Sequence, residues 1–297
     1  MSIRKRIGQI LSIFITAILI SEVLGQEITF GAYNLQNYSL ETGANGQKPK
    51  STASKVALTS IIHALHPDIL GVCEMASREA LADLQVRLKS AGLDLPESEF
   101  VEGPDPDRHL ALLSRFPIVL KSSDPHVTFE LNGRAERVRR GFLDVTIQIN
   151  NSYRLRLVGV HLKSKIAAPE GESLIRRMES HLLAQRISKI LENEPETNLL
   201  VYGDFNDTKD QPILQSLIGQ RGSQQMLRDL HAVDEHGECW THYWKTADVY
   251  SRMDFLLASK GLLPEIFKKQ ARVTSAANWN EASDHRLIST SISATNH

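Results

Sequence analysis

The chain has 297 residues, 41% hydrophobic and 23% charged, with 17 Gly and 11 Pro; that composition excludes collagen-like, low-complexity and disordered classes and leaves room for a sizeable core. Lys and Arg number 34 against 35 Asp and Glu, a formal charge of −1. No overall positive field therefore draws the whole molecule to nucleic acid or an anionic membrane, and any affinity for phosphate has to be local.

Residues 1–25 carry a basic start (Arg4, Lys5, Arg6), an apolar stretch from Ile10 to Ile20, and the small residues Val23 and Gly25 before Gln26. That layout predicts a signal peptide over 1–25, a mature domain over 26–297, and a periplasmic or secreted destination. The apolar stretch is about half of the ~20 residues a bilayer span needs, and no later segment is long and apolar enough, so stable membrane insertion is not expected. Two cysteines, Cys73 and Cys239, cannot build a disulfide framework, and Cys73 inside an apolar run reads as a small buried hydrophobe. Without repeats or a Pro/Gly/Ser-rich linker, the chain reads as one domain.

In chain order, the pattern predicts a strand at 28–33, then a helix on which Leu58, Ile61, Ile62 and Leu65 share a face. A strand at 69–73 follows, and a helix from Ser77 to Gly92 with those two residues as caps. Strands are expected at 110–113, 143–149 and 155–160. The second of these alternates cleanly (Leu143, Val145, Ile147, Ile149) and forms a hairpin with the third through Asn150, Asn151 and Ser152. The longest helix is expected over 172–192, and the remaining strands at 199–201, 255–257 and 287–292. Strands outnumber helices, and the hairpin favours a mixed sheet over a purely parallel one.

Several of these apolar strands run directly into a polar residue. Ile69 to Cys73 meets Glu74, Leu157 to Val160 meets His161, and Leu199 to Gly203 meets Asp204-Phe205-Asn206-Asp207. Asn34 closes the first strand, and Ser283-Asp284-His285 precedes the last. If these ends share one rim, carboxylates and imidazoles converge there. Clustered carboxylates repel one another unless a cation neutralises them, and a hard divalent ion with oxygen ligands, Mg²⁺ or Mn²⁺, suits such a rim and binds phosphate. Zinc suits it less, for there is no HExxH and no CxxC.

The ordered set Asn34-Leu35-Gln36-Asn37, Pro67 to Glu74, Leu112 to Ile118, Val160-His161-Leu162, Gly203-Asp204-Phe205-Asn206, Ser251-Arg252-Met253-Asp254 and Ser283-Asp284-His285 resembles the endonuclease/exonuclease/phosphatase superfamily. Its members include deoxyribonuclease I, exonuclease III, inositol polyphosphate 5-phosphatases and bacterial sphingomyelinases. The resemblance spans residue 28 to about 292 and implies an α/β four-layer sandwich, with two mixed β-sheets face to face and helices outside. It further implies Mg²⁺-dependent phosphoester hydrolysis, nuclease-like on a phosphodiester; a phosphatase or a phospholipid or sphingomyelin headgroup hydrolase is the alternative, and a dead binding module the remaining one.

Under the resemblance Glu74 is the main metal ligand, with Asn34 and Asp284 in the metal and water network. Asp204 activates the attacking water, Asn206 donates to a phosphate oxygen, and His285, held by Asp254, faces the scissile phosphate opposite His161. Lys163, Arg115 and Arg252 are the candidates for substrate binding, and the protein is expected to act as a monomer. Gln36 stands where abasic-site endonucleases carry an acidic ligand, Met253 replaces the usual Ile, and Leu287 a common Pro.

Other features stay open on sequence. Gly-Asp-x-Asn is also good turn chemistry. His63 and His66 lie three apart on a helix without a third ligand. Arg134, Arg137, Arg139 and Arg140 form either a phosphate-tracking cluster or an exposed ladder, and Trp240, Tyr243 and Trp244 either stack on a ring or pack internally. Asn206-Asp207-Thr208 matches a glycosylation sequon, but a glycan there would fill the site, which favours a bacterial exported protein.

Overall fold

Alternation decides which side chains each strand sends inward. In β1 (Gln26–Tyr38) Ile28, Phe30 and Ala32 join one core cluster while Tyr33 and Leu35 join another, as a two-residue period demands. The computed structural model describes residues 26–218 and 227–295, so the expected signal peptide lies outside the described residues.

The first sheet has the order β12 (Ala232–Val233), β16 (Ala271–Val273), β17 (Ile288–Ala294), β1, β2 (Ile69–Met75), β4 (His109–Ser114), β3 (Glu97–Val101). The second runs β11 (Arg228–Asp229), β15 (Asp254–Ala258), β10 (Leu199–Asp204), β9 (Arg154–His161), β8 (Leu143–Gln148), β5 (Ile118–Lys121). Each has one central parallel pair, β1 with β2 and β9 with β10, flanked by antiparallel neighbours. The expected 143–160 hairpin is the β8–β9 pair. Two short hairpins stand apart, β6 (Thr128–Leu131) with β7 (Arg134–Arg137), and β13 (His242–Trp244) with β14 (Val249–Ser251).

The sheets pack face to face over Phe30, Leu112, Val145, Leu157 and Tyr202. Helices α1 (Thr52–Leu65) and α2 (Arg78–Ser90) cover the outer face of the first sheet; α3 (Glu172–Asn193) and α4 (Pro212–Ile218) cover that of the second. The result is the expected α/β four-layer sandwich. Ser77 caps α2 by accepting the Ala80 N–H at 3.1 Å, and Gly92 follows that helix at φ +92°. A last short helix, α5 (Trp279–Ala282), leads into the Ser283-Asp284-His285 turn. Among the described residues, no helix is long and apolar enough to cross a membrane.

One inter-sheet contact depends on missing side chains. The Tyr202 ring fills the space above Gly71 and Gly159; a Cβ at Gly71 would lie 2.1 Å from Tyr202 Cε2, and one at Gly159 2.6 Å from its hydroxyl oxygen. Cys73 and Cys239 are both free, the first buried and the second exposed. His66 sits just beyond α1 in the left-handed region at φ 54°, terminating the helix rather than joining His63 as a ligand pair.

Candidate active site

Parallel neighbours end on the same edge, so the β1/β2 and β9/β10 pairs bring Asn34, Glu74, His161 and Asp204 to one rim. Register places Asn34 beside Cys73, and Asp204 between His161 and Asp254, the first residue of antiparallel β15. The rim joins the two sheets directly: Asn34 Nδ2 donates to Asp204 Oδ2 at 3.0 Å and lies 3.4 Å from Glu74 Oε1.

Backbone strain is concentrated here. Gln36, Asn37, Glu74 and Asn206 all have positive φ, between 49° and 62°, a conformation costing on the order of 1–3 kcal/mol for a non-Gly residue and persisting only where surroundings impose it. Local hydrogen bonds impose it. The Asn37 N–H donates to Glu74 Oε2 at 2.9 Å, the Gln36 N–H to Asn34 Oδ1 at 3.0 Å, and the Asn206 N–H to Asp204 Oδ1 at 2.8 Å.

His285 Nδ1 and Asp254 Oδ2 are 2.8 Å apart, and His285 Nε2 lies 3.7 Å from Asp204 Oδ2. Thr241 Oγ1 accepts the N–H groups of both Met253 and Asp254 at 3.0 Å, fixing the backbone that presents this carboxylate. Burial opposes charge on His285, but Asp254 and Asp204 outweigh it and push its pKa up to about 10. Burial lifts the Asp204 carboxyl to about 7 against the pull of His285, with Asp254 and Glu74 adding to the rise. His161 goes the other way. Its Nε2 is 3.5 Å from Asp204 and 3.9 Å from Glu74, yet burial, then Arg140, His285 and Arg108, hold it well below the ordinary imidazole range. The two rim histidines thus differ in charge near neutrality, one cationic and one neutral.

Asp204, Asp254 and His285 offer ligand atoms within 4.8 Å of one another. A cationic imidazole already bonded to Asp254 is no ligand, so this trio reads as a hydrogen-bonded relay. The donors that fit a hard cation are the oxygens of Glu74, Asp204 and Asp284, in a rim whose negative charge already lifts Asp204. Asn37 Oδ1 and the Tyr33 hydroxyl are buried there without hydrogen-bond partners, as befits a site that takes an ion with its waters. Asp284 is half-buried; its carbonyl accepts the Tyr243 N–H at 2.9 Å and its carboxylate lies 3.5 Å from the Ser283 hydroxyl.

The structure gives several of the expected site residues partners of their own. Arg115 follows the C-terminal end of β4, beside the start of β2 and so opposite Glu74, and pairs with Asp68 at 2.8 Å. It cannot meet a substrate at the rim. Arg252 is buried and forks onto Asp229, with Nη1 at 2.9 Å. Lys163 Nζ donates to the Ser164 and Ile166 carbonyls at 2.9 and 2.6 Å, closing its own loop. Asn34 presents its amide N–H, not its oxygen, to the carboxylates. Asn206 likewise spends its amide on the Leu162 carbonyl (2.9 Å) and on Asp204 (3.3 Å). Of the arginine cluster, Arg134, Arg137 and Arg139 are exposed whereas Arg140 is buried on Asp105 at 3.0 Å.

Three rim residues escaped the sequence reading. Arg108 Nε is 3.7 Å from Glu74 Oε2, Lys50 lies in the field of Asp284 and Glu74, and the His242 ring packs 4.6 Å from that of His285. Arg108 immediately precedes β4, and only the antiparallel pairing of β4 with β2 brings that end to Glu74. Beyond His242, Trp240, Tyr243, Tyr250 and Trp279 form a contiguous set of rings, with Trp244 and Tyr250 about half exposed.

The sequence model of the Endonuclease/Exonuclease/phosphatase family matches residues 31–285. No curated protein matches the sequence. Solved structures with a similar fold include sphingomyelinase C from Streptomyces griseocarneus, at 15% identity and a TM-score of 0.63 over 90% of this chain and 99% of that one. The human Nocturnin catalytic domain with bound sulfate is similar at 18% and 0.63, over 91% and 95%. A beta toxin mutant from Staphylococcus aureus with bound magnesium ions is similar at 15% and 0.62, over 89% and 99%. At these identities the likeness is one of fold.

Proposed function

The chain belongs to the endonuclease/exonuclease/phosphatase family, and on that premise we propose that it is an exported, Mg²⁺- or Mn²⁺-dependent phosphoester hydrolase that cleaves phosphodiesters as a nuclease does. The observation that carries this reading is the rim itself. Glu74, Asp204 and Asp254 come from separate strands of two sheets and His285 from the turn before β17, and they stand in mutual contact range through Asn34 and His161.

Glu74 would hold the ion with Asp284 beside it; when bound, the ion polarises the phosphoryl group and offsets charge on the leaving oxygen. Asp204, with its raised proton affinity, is suited to orient the attacking water and take its proton near neutral pH. Asp254 fixes the His285 ring so that its charged Nε2 side faces Asp204 and the negative charge developing on the phosphoryl oxygens. Neutral His161 closes the other side. Asn34 and Asn206 keep the carboxylates spaced and oriented, and in-line displacement needs little beyond such positioning and charge stabilisation.

Hydrolysis of bis-p-nitrophenyl phosphate with Mg²⁺, with Mn²⁺ and with EDTA tests the reading; equal rates in all three overturn it. The exposed rings of Trp244 and Tyr250, on the β13–β14 hairpin whose His242 packs against His285, favour a second reading, a lipid headgroup hydrolase whose hairpin meets a bilayer. Faster turnover of sphingomyelin in vesicles than of any oligonucleotide would select it.

A further inference from the structure

With Arg115, Arg252 and Lys163 engaged elsewhere, Arg108 and Lys50 are, among the described residues, the lysine and arginine side chains found near the rim carboxylates, beside the His285 ring. Arg108 is a quarter exposed, its Nε 3.7 Å from Glu74 Oε2. Lys50 is half-buried and donates from Nζ to the Gln36 carbonyl at 3.2 Å.

They sit on different loops, and those loops are tied together. Asp105 accepts the N–H groups of Asp107 and Arg108 on Oδ1, both at 3.1 Å, and is itself pinned by the buried Arg140. Asp107 in turn accepts the Ala44 N–H at 2.7 Å and the Asn45 N–H at 3.1 Å from the loop that carries Lys50. The fit is close enough that a Cβ at Gly43 would lie 2.6 Å from Asp107 Oδ1. Long cationic side chains are costly to order. Here two buried aspartates are spent on fixing the backbones from which both extend.

Glu74 is the nearby anion of Arg108, and Asp284 with Glu74 that of Lys50, only while these carboxylates are free. Once they ligate a divalent ion, both cations need another negative partner. We propose that Arg108 and Lys50 form a subsite for the phosphate next to the scissile one on a nucleic-acid strand. The inference rests on the phosphodiesterase reading and names its substrate class: a polyanionic strand supplies that second charge, whereas the quaternary ammonium of a choline lipid would be repelled by the two cations.

The test is the salt dependence of binding. Anisotropy of a short labelled single-stranded DNA is measured with Mg²⁺ across a NaCl series, in an Asp204→Asn background to prevent cleavage. Arg108→Gln and Lys50→Gln should each weaken binding on the order of tenfold at low salt and lower the log–log slope by about 0.7. Arg108→Lys should keep the slope, and Lys89→Gln, at the exposed C-terminal end of α2 where Lys89 pairs with Asp94, should change neither quantity. Unchanged slopes in both glutamine variants overturn the subsite, as does wild-type binding to sphingomyelin vesicles that exceeds binding to DNA. Wild-type turnover of bis-p-nitrophenyl phosphate, assayed in parallel, separates the two failures: turnover with unchanged slopes removes the subsite alone, whereas no metal-dependent turnover removes the phosphodiesterase reading.

Discussion

Replacing Asp254 by Asn changes one charge and almost no volume. The asparagine oxygen can still accept the His285 Nδ1–H, so ring orientation survives while the counter-ion does not. Nδ1 and Oδ2 are 2.8 Å apart, and with charge centres near 4 Å and an effective dielectric of about 20 the pair is worth about 4 kcal/mol, or about three decades of proton affinity. His285, now held at about 10, falls back to the ordinary imidazole range or below, because burial continues to act and only Asp204 and Asp284 still oppose it. At pH 7.5 the charge facing the phosphoryl oxygens is then largely lost. The expected result is a drop in kcat of about a hundred- to ten-thousandfold with KM little altered, the signature of an interaction made in the transition state. The assay is bis-p-nitrophenyl phosphate hydrolysis with Mg²⁺ at pH 6–9, with the His285 titration followed by NMR. The same charge links to stability. A histidine whose folded pKa exceeds its unfolded value stabilises fully below about 6.5 and loses that contribution as pH rises through about 10, so the metal-free wild type should weaken across that window and the variant much less. A variant retaining a third of wild-type kcat, or a His285 still titrating above 9, refutes the reasoning.

Asp204→Asn should abolish turnover yet stabilise the metal-free protein. The carboxyl is raised from 3.8 to about 7, so the native state holds a proton the unfolded chain releases, and wild-type stability falls as pH rises from about 4 to 7, by up to about 4 kcal/mol. Urea melts at pH 8 should show the variant more stable; an unchanged or lower midpoint counts against the assignment. Glu74→Gln should remove the Mg²⁺ heat in titration calorimetry and the Mg²⁺-induced rise in Tm, and binding equal to wild type would show that another residue holds the ion. Gly71→Ala would place a Cβ 2.1 Å from Tyr202 and should cost about 1–3 kcal/mol by overpacking, read by chemical denaturation; a loss below 0.5 kcal/mol would mean that the sheets part easily.

The period-two runs at 143–149 and 155–160 and the helical face of Leu58, Ile61, Ile62 and Leu65 were legible because burial on one face imposes its period on the chain. Short edge strands such as Glu97–Val101, Ile118–Lys121 and Thr128–Leu131 were not, since mixed or exposed faces leave no clean alternation. At the site, Glu74, His161 and Asp204, which end central strands, and Asn34 and His285, which flank the first and last, were readable because a polar group beside an apolar run stands out, and Asp254 came with the family motifs. Which cations serve them was not. Arg115, Arg252, Lys163, Arg108 and Lys50 look alike in one dimension, since a charge says nothing of its counter-ion. Strand direction sends Arg115 to the far edge and Arg108 to Glu74, and Asp229 and the 164–166 carbonyls claim Arg252 and Lys163. The central strands and the chemistry at their ends were thus properties of the sequence. The pairing of charges belongs to the tertiary structure, because it depends on distances across residues far apart in the chain.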